Sequence, residues 1–260
     1  MPRFAFDLEY DGRAFNGSQA QTGLRTLQTL LAQAMTELNG ETVQVRPASR
    51  LDAEVCAEHL PCDALFARDW QPLELAAALT SRLPADVSVT RVAAVHDRWH
   101  AQHDALSKRY RYVLVQRGSR PVLDLHATWV RQLDHPELLH EMAPLLVGRR
   151  DLSGFACLRR DDSDGDDPVR TIHAASWTIE PRPLGTYLTF HISGDGFLYK
   201  QVRGMVGAMI HVAKGRKPLS AFTAAIDAGR SAERIGNIAP AKGLVLERVV
   251  YDPEPAWLPL

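Results

Sequence analysis

The chain has 260 residues, 45% of them apolar and 23% charged, which excludes a disordered or fibrous protein and fits one large domain or two smaller ones with real cores. A net charge of -1 excludes a global basic field, so any contact with nucleic acid must come from local patches. Three cysteines, Cys56, Cys62 and Cys157, are too few for a disulfide framework and lack CxxC spacing, which points to reduced thiols in a cytoplasm and away from a cysteine-rich zinc site.

At the start of the chain Asp7 and Glu9 stand where a signal peptide needs an apolar stretch, and no apolar run approaches the roughly 18 residues of a membrane span. Residues 3–10 alternate as a strand does, with Phe4, Phe6 and Leu8 on one face and Asp7 and Glu9 on the other. Asp11-Gly12 marks a turn. Leu24, Leu27, Leu31, Met35 and Leu38 form a helical stripe, stopped by Asn39-Gly40. Val43 and Val45 read as a strand, 71–82 as a helix, Pro84-Ala85-Asp86 as a turn and 87–95 as a strand. The stretch between Val45 and residue 71 reads as loop.

The second half repeats the theme, with strands over 109–116, 173–180, 186–193 and 244–251 and helices over 136–147, 199–214 and 218–228. The expected fold is α+β, with helices on one face of a mostly antiparallel sheet. The recurrence of elements places a domain boundary near residue 105. No Pro/Gly/Ser linker lies there, so two domains, 1–105 and 106–260, are expected to share one continuous sheet.

Local charge says more than net charge. Residues 104–120 carry Lys108, Arg109, Arg111, Arg117 and Arg120 against Asp104. Residues 195–217 carry Lys200, Arg203, Lys214, Arg216 and Lys217 against Asp195. Tyr110, Tyr112, Phe197 and Tyr199 interleave with these cations, a composition suited to gripping phosphates and stacking bases, though solvated strand and helix faces look the same.

The segment Ser49-Arg50-Leu51-Asp52-Ala53-Glu54-Val55-Cys56-Ala57 is the most informative in the chain. A carboxylate close to a guanidinium is held ionised, and an ionised, positioned carboxylate can attack an electron-poor carbon. Taken alone, the segment also fits a surface loop with an incidental aspartate. Other candidates are poorer. His100 and His103 have a metal-binding spacing but no third ligand nearby in sequence. The acidic run Asp161–Asp167 fails the register of a calcium loop, with Asp167 at the sixth position from Asp162 and His173 at the twelfth. Gly194-Asp195-Gly196 completes no nucleotide-binding fingerprint, and no Gly-x-Ser-x-Gly is present.

Read in order, these segments resemble the bacterial tRNA pseudouridine synthase A family. That family opens with Glu-Tyr-Asp-Gly and then Tyr-x-Gly-Trp-Gln-x-Gln, matched by Glu9-Tyr10-Asp11-Gly12 and Phe15-Asn16-Gly17-Ser18-Gln19-Ala20-Gln21. Its loop Gly-Arg-Thr-Asp-Ala-Gly-Val-His-Ala is similar to residues 49–57. Its Phe-His-Ala-Arg and Arg-Arg-Tyr-Arg-Tyr resemble Trp99-His100-Ala101-Gln102 and Lys108-Arg109-Tyr110-Arg111-Tyr112. Its Phe-x-x-x-Met-Val-Arg-x-x-x-Gly resembles Phe197 through Arg203 to Gly207, and its Ala-Pro-Ala-x-Gly-Leu is Ala239-Pro240-Ala241-Lys242-Gly243-Leu244.

The resemblance implies two similar α/β domains around a basic cleft, in a cytoplasmic homodimer. It implies that this dimer converts uridine to pseudouridine in the anticodon arm of tRNA without cofactor or metal. By position, Asp52 would be the nucleophile, Tyr110 would stack on the target base, Arg50 would fill the gap left by the flipped nucleotide, and Arg203 would pair with Asp52. Lys108 and Arg111 would contact phosphate. The chain departs from the pattern at Ser18, Leu51, Glu54, Cys56 and Gln102. The departures in the loop support a second reading, an RNA-binding relative that keeps the fold without efficient catalysis. A small-molecule α+β enzyme is a third reading, which the order of the motifs disfavours.

Overall fold

The computed structural model describes residues 1–157 and 167–260, so most of the acidic run, residues 161–166, lies outside the described residues. The chain forms two compact units, Met1–Lys108 with Val245–Leu260, and Arg109–Leu244.

The first unit opens with β1 (Arg3–Tyr10), followed by α1 (Leu27–Asn39), β2 (Arg46–Pro47), β3 (Cys56–Leu65), α2 (Pro72–Thr80) and β4 (Val87–Val95). In β1 the large residues Phe4, Phe6, Leu8 and Tyr10 alternate, as expected, and are almost fully buried. Asp7, on the opposite face, is buried as well, because Arg91 on β4 donates to it at 2.6 Å and His59 on β3 lies 2.7 Å away. Helix α1 starts at Leu27 because the Thr26 hydroxyl caps it, accepting from Thr29 N–H. Leu24 therefore falls outside the helix and is exposed. Gly40 ends α1 at φ 77°, as Asn39-Gly40 predicts.

Two readings of this region are corrected. Val43 and Val45 are buried but form no strand. Side chains replace the ladder, since Val43 N–H donates to Thr36 and Val45 C=O accepts from Gln28. The stretch read as loop contains β3, which pairs antiparallel with β1 from Arg3↔Leu65 to Tyr10↔Ala57.

The second unit contains most of β5 (Ala105–Gln116), then β6 (Thr128–Val130), α3 (Leu138–Leu145), β7 (Gly148–Asp151), β8 (Val169–Arg182), β9 (Gly185–Gly194), α4 (Gln201–Ala213) and α5 (Leu219–Ala228). Its strands run β5-β9-β8-β7, with β6 parallel to β5. Trp177 and Phe190 pack in this core at 5.1 Å, and the Trp177 indole N–H points to Met209 Sδ on α4. Glycines let α4 come close to its neighbours. A Cβ on Gly204 would lie 1.7 Å from Phe155 O, and one on Gly207 would lie 2.0 Å from Asn237 O. This explains the glycine four residues after Arg203.

The chain then returns to the first unit through β10 (Leu244–Tyr251) and β11 (Leu258–Pro259). β10 runs parallel to β3 through Val245↔Cys56, and β11 pairs with β4 through Leu258↔Val92. The unit's strand order is β11-β4-β1-β3-β10, with β2 also on β3. Residues 245–260, read from sequence as the close of the second domain, thus belong with the first unit, because their hydrogen-bonding partners are β3 and β4. Among the described residues the architecture is mixed α+β with eleven strands and five α-helices, and no helix is long and apolar enough to cross a membrane.

Candidate active site

Asp52 lies half-buried between β2 and β3, in a turn that Val55 N–H closes onto Asp52 C=O at 3.2 Å. Glu54 is the third residue of that turn and has φ 67°. A turn with a left-handed third residue calls for glycine, since only glycine escapes the clash of Cβ with the backbone. Glu54 is exposed and so is Arg50, while Leu51 is buried between them.

The segment after β1 cradles this loop. A Cβ on Gly12 would lie 2.0 Å from Val55 O. Gly17, at φ +92°, would place a Cβ 2.8 Å from Leu51 O and 3.3 Å from Ala53 N. The Asp-Gly and x-Gly-x spacing of the opening motifs is therefore the spacing at which two backbones can touch. Ser18 is fully buried, donates its N–H to Leu51 O at 3.0 Å, and accepts Leu51 N–H on its hydroxyl at 2.7 Å. Phe15 packs against Tyr10 at 4.9 Å and carries the Arg25 guanidinium 3.8 Å from its ring centre. Arg25 in turn binds both oxygens of Asp86. The Cys56 thiol donates to Asp11 at 3.6 Å, and burial pushes its pKa up to about 11. Cys56 is thus a protonated packing group at neutral pH and no nucleophile.

The segment Trp99-His100-Ala101-Gln102 is held from several sides. Ala101 N–H donates to buried Asp63 at 2.9 Å, Arg46 donates to Trp99 O at 2.8 Å, and Tyr251 OH donates to Ala101 O at 2.7 Å. Asp63 also binds Arg3 and Arg46, so one carboxylate organises two guanidiniums and this loop. Sequence reading missed Asp63 and Arg46, because the stretch holding them reads as loop and their partners lie far away in sequence. Burial first, then Arg46, lowers the His100 pKa. His100 Nδ1 accepts Gln102 N–H at 3.1 Å, and its ring lies 4.1 Å from that of His103. Among the described residues no further ligand joins this pair to make a metal-binding group.

On β5, Lys108 and Tyr110 share one face and Arg109 and Arg111 the other, by strand alternation. Burial lowers the Lys108 pKa to about 8. In the second unit Tyr110 is 6% exposed, and its ring stands edge-on to Phe197 at 5.3 Å and 89°, a contact that fixes the ring's orientation. Arg203 on α4 is half-buried; its Nε donates to Ala239 O at 2.8 Å and its C=O accepts Ala239 N–H at 3.0 Å. Tyr112 OH donates to Pro240 O at 2.8 Å, and a Cβ on Gly243 would lie 2.7 Å from the Tyr112 ring. The stretch 239–244 therefore serves to lock Arg203 and Tyr112 in place. Asp195 accepts from Thr171 N–H at 3.0 Å, so its glycine-flanked turn ends a strand pair.

The structure thus puts Asp52 and Arg50 on one loop of the first unit, with Lys108 at that unit's edge. It puts Tyr110, Arg111 and Arg203 in the second. Besides Asp63 and Arg46, Ser18 and Gly17 are site residues whose roles sequence reading missed. Ser18 stood out only as a departure from the motif.

The chain is similar over its length to proteins named tRNA pseudouridine synthase A. It is 34% identical to that of Jannaschia sp. (strain CCS1), covering 98% of this chain and 97% of the relative. It is 36% identical to that of Methylobacterium nodulans, covering 98% of each, and 32% identical to that of Streptococcus agalactiae serotype Ia, covering 98% and 97%. The profile of a family described as tRNA pseudouridine synthase matches residues 142–252.

Proposed function

The chain belongs to the tRNA pseudouridine synthase A family and is an isomerase acting on tRNA, and from that premise we propose that Asp52 is its nucleophile and the anticodon arm its target. The observation that carries this reading is the cradle around the turn. Gly12, Gly17 and Ser18 hold the Asp52 loop to a fixed backbone path on both sides of a half-buried carboxylate. The conversion keeps every atom of the nucleoside. One carbon–nitrogen bond breaks, the base turns, a carbon–carbon bond forms, and a ring carbon gives up a proton while the freed nitrogen gains one. A positioned nucleophile and proton transfers meet that need.

The target base must first leave its stack, at about a few kcal/mol. Exposed Arg50 is suited to occupy the vacated space, and Tyr110, braced by Phe197, to meet the base with a ring that is already ordered. Lys108, Arg111 and Arg203 supply cations for the backbone and the nucleophile. A homodimer belongs to the same reading. Val122, Leu123, Leu125 and Leu184 expose large apolar side chains on the segment around Asp124 and on the turn before β9, and Tyr187 of β9 donates to Asp124, so the two lie near each other on a surface that a second copy would cover.

The test uses unmodified tRNA and chemical mapping of pseudouridine. Asp52→Asn and Asp52→Ala are expected to lose product while binding tRNA within a few-fold of wild type. Turnover by Asp52→Ala would refute the assignment. The left-handed Glu54 favours the second reading, a binding protein with impaired catalysis, and wild type that binds without turnover would establish it.

A further inference from the structure

We propose that Ser18 is a positioning residue that sets the Asp52 loop through the peptide groups of Leu51. The proposal rests on Asp52 being the nucleophile. Two departures that look independent in the sequence, Ser18 and Leu51, meet in the structure. Ser18 is fully buried and grips Leu51 twice, accepting its N–H on Oγ at 2.7 Å and donating its own N–H to Leu51 O at 3.0 Å. Its hydroxyl proton points to Ser49 O at a long 3.5 Å.

The geometry explains why this grip reaches Asp52. The C=O of Leu51 and the N–H of Asp52 share one peptide plane, so fixing the oxygen fixes the plane that leads into the Asp52 Cα. The N–H of Leu51 lies in the preceding plane, so Ser18 holds both planes around one residue. The grip is itself anchored. Gln28 N–H donates to Ser18 O at 2.9 Å and Leu27 N–H to Gly17 O at 3.3 Å, in the first turn of α1. The Gln28 side chain then bridges Ala20 N–H and Val45 O at 3.0 and 2.7 Å. The orientation of the carboxylate is thus referred to a helix end and not to a free loop.

Misplacing a reacting group by about 1 Å costs on the order of a hundredfold in rate. Ser18→Ala keeps the backbone bond to Leu51 O but leaves the buried Leu51 N–H without its acceptor, freeing the plane before Leu51, and is expected to lower single-turnover rates on unmodified tRNA about 10- to 100-fold, with Kd for tRNA within about threefold. Ser18→Thr, which keeps the hydroxyl, is expected to recover most of the rate. If alanine does not yield folded protein, Ser18→Cys, nearly isosteric but a weaker acceptor, is expected to show the same loss. Wild-type rates in folded Ser18→Ala or Ser18→Cys would overturn the proposal. So would equal losses in the threonine and alanine variants, or a fall in melting temperature with no change in rate. Asp52→Ala in parallel separates the two ideas: its activity would sink the nucleophile itself, whereas an inert Asp52→Ala beside a fully active Ser18→Ala sinks only the role of Ser18.

Discussion

Replacing Glu54 by glycine tests whether the loop carries backbone strain at this residue. Glu54 sits at φ 67°, where a residue with Cβ is disfavoured by about 1–2 kcal/mol. Glycine relieves that clash but adds freedom to the unfolded chain, costing about 0.4–1 kcal/mol. The net gain is about 0.5–1 kcal/mol, worth roughly 2 °C in melting temperature for a chain of this size. The exposed carboxylate also disappears from beside Asp52, the proposed nucleophile. At about 10 Å through water, one charge on a phosphate is worth about 0.4 kcal/mol, or roughly twofold in Kd. Glu54→Ala separates the two effects, since it removes the charge and keeps Cβ. Glu54→Gly is expected to raise the melting temperature and kcat/KM together, whereas Glu54→Ala is expected to tighten tRNA binding at an unchanged or lower melting temperature. A lower melting temperature for Glu54→Gly than for Glu54→Ala would refute the strain argument.

Lys108 has a folded pKa of about 8, below its ordinary 10.5, because it is buried. Between those values the unfolded chain binds the extra proton, so stability climbs with pH over that window, and Lys108→Met is expected to flatten the climb in pH-dependent urea melts. In the wild type, tRNA affinity is expected to weaken as pH rises through about 8, and a Lys108→Arg variant that keeps the same profile would show that this group carries no contact. Affinity should also fall steeply with salt, each lost phosphate contact lowering the log–log slope by about one. Fluorescence titrations at several salt concentrations would measure this for Arg111→Ala and Lys214→Ala, and unchanged slopes would mean that these charges only solvate the surface.

The elements that sequence made legible are those whose side chains declare a period. The stripes of α1 and α4 and the alternation of β1 and β9 are of this kind, with caps such as Gly40 fixing their ends. Strand β3 declares nothing. Cys-Ala-Glu-His-Leu-Pro-Cys-Asp-Ala-Leu has no β-branched residue and a proline in its middle, which argues against a central strand. Its pairing comes from elsewhere: β1 covers one edge, while β10 and β2 meet the other at Cys56–Ala57 and Cys62–Asp63, on either side of Pro61. Its buried Asp63 is tolerable only because Arg3 and Arg46 are brought to it. Such partners are distant in sequence, so no local window contains them. The same holds for the return of β10 to β3.

The candidate site shows the same division at finer grain. Asp52 could be picked out because a motif surrounds it, and Glu54 could be suspected because glycine at that position has a conformational meaning that φ 67° now supplies. Ser18 could not be interpreted, because what matters is not the residue it replaces but the peptide it holds. A motif read by identity counts Ser18 only as a loss. Read by hydrogen bonds, it is a pair of contacts to one residue, in which the buried Leu51 N–H is satisfied by the Ser18 hydroxyl and the Leu51 carbonyl by the Ser18 N–H. A departure beside the Asp52 loop is therefore to be read by the main-chain groups it satisfies, since these decide whether the peptide planes around the carboxylate remain held.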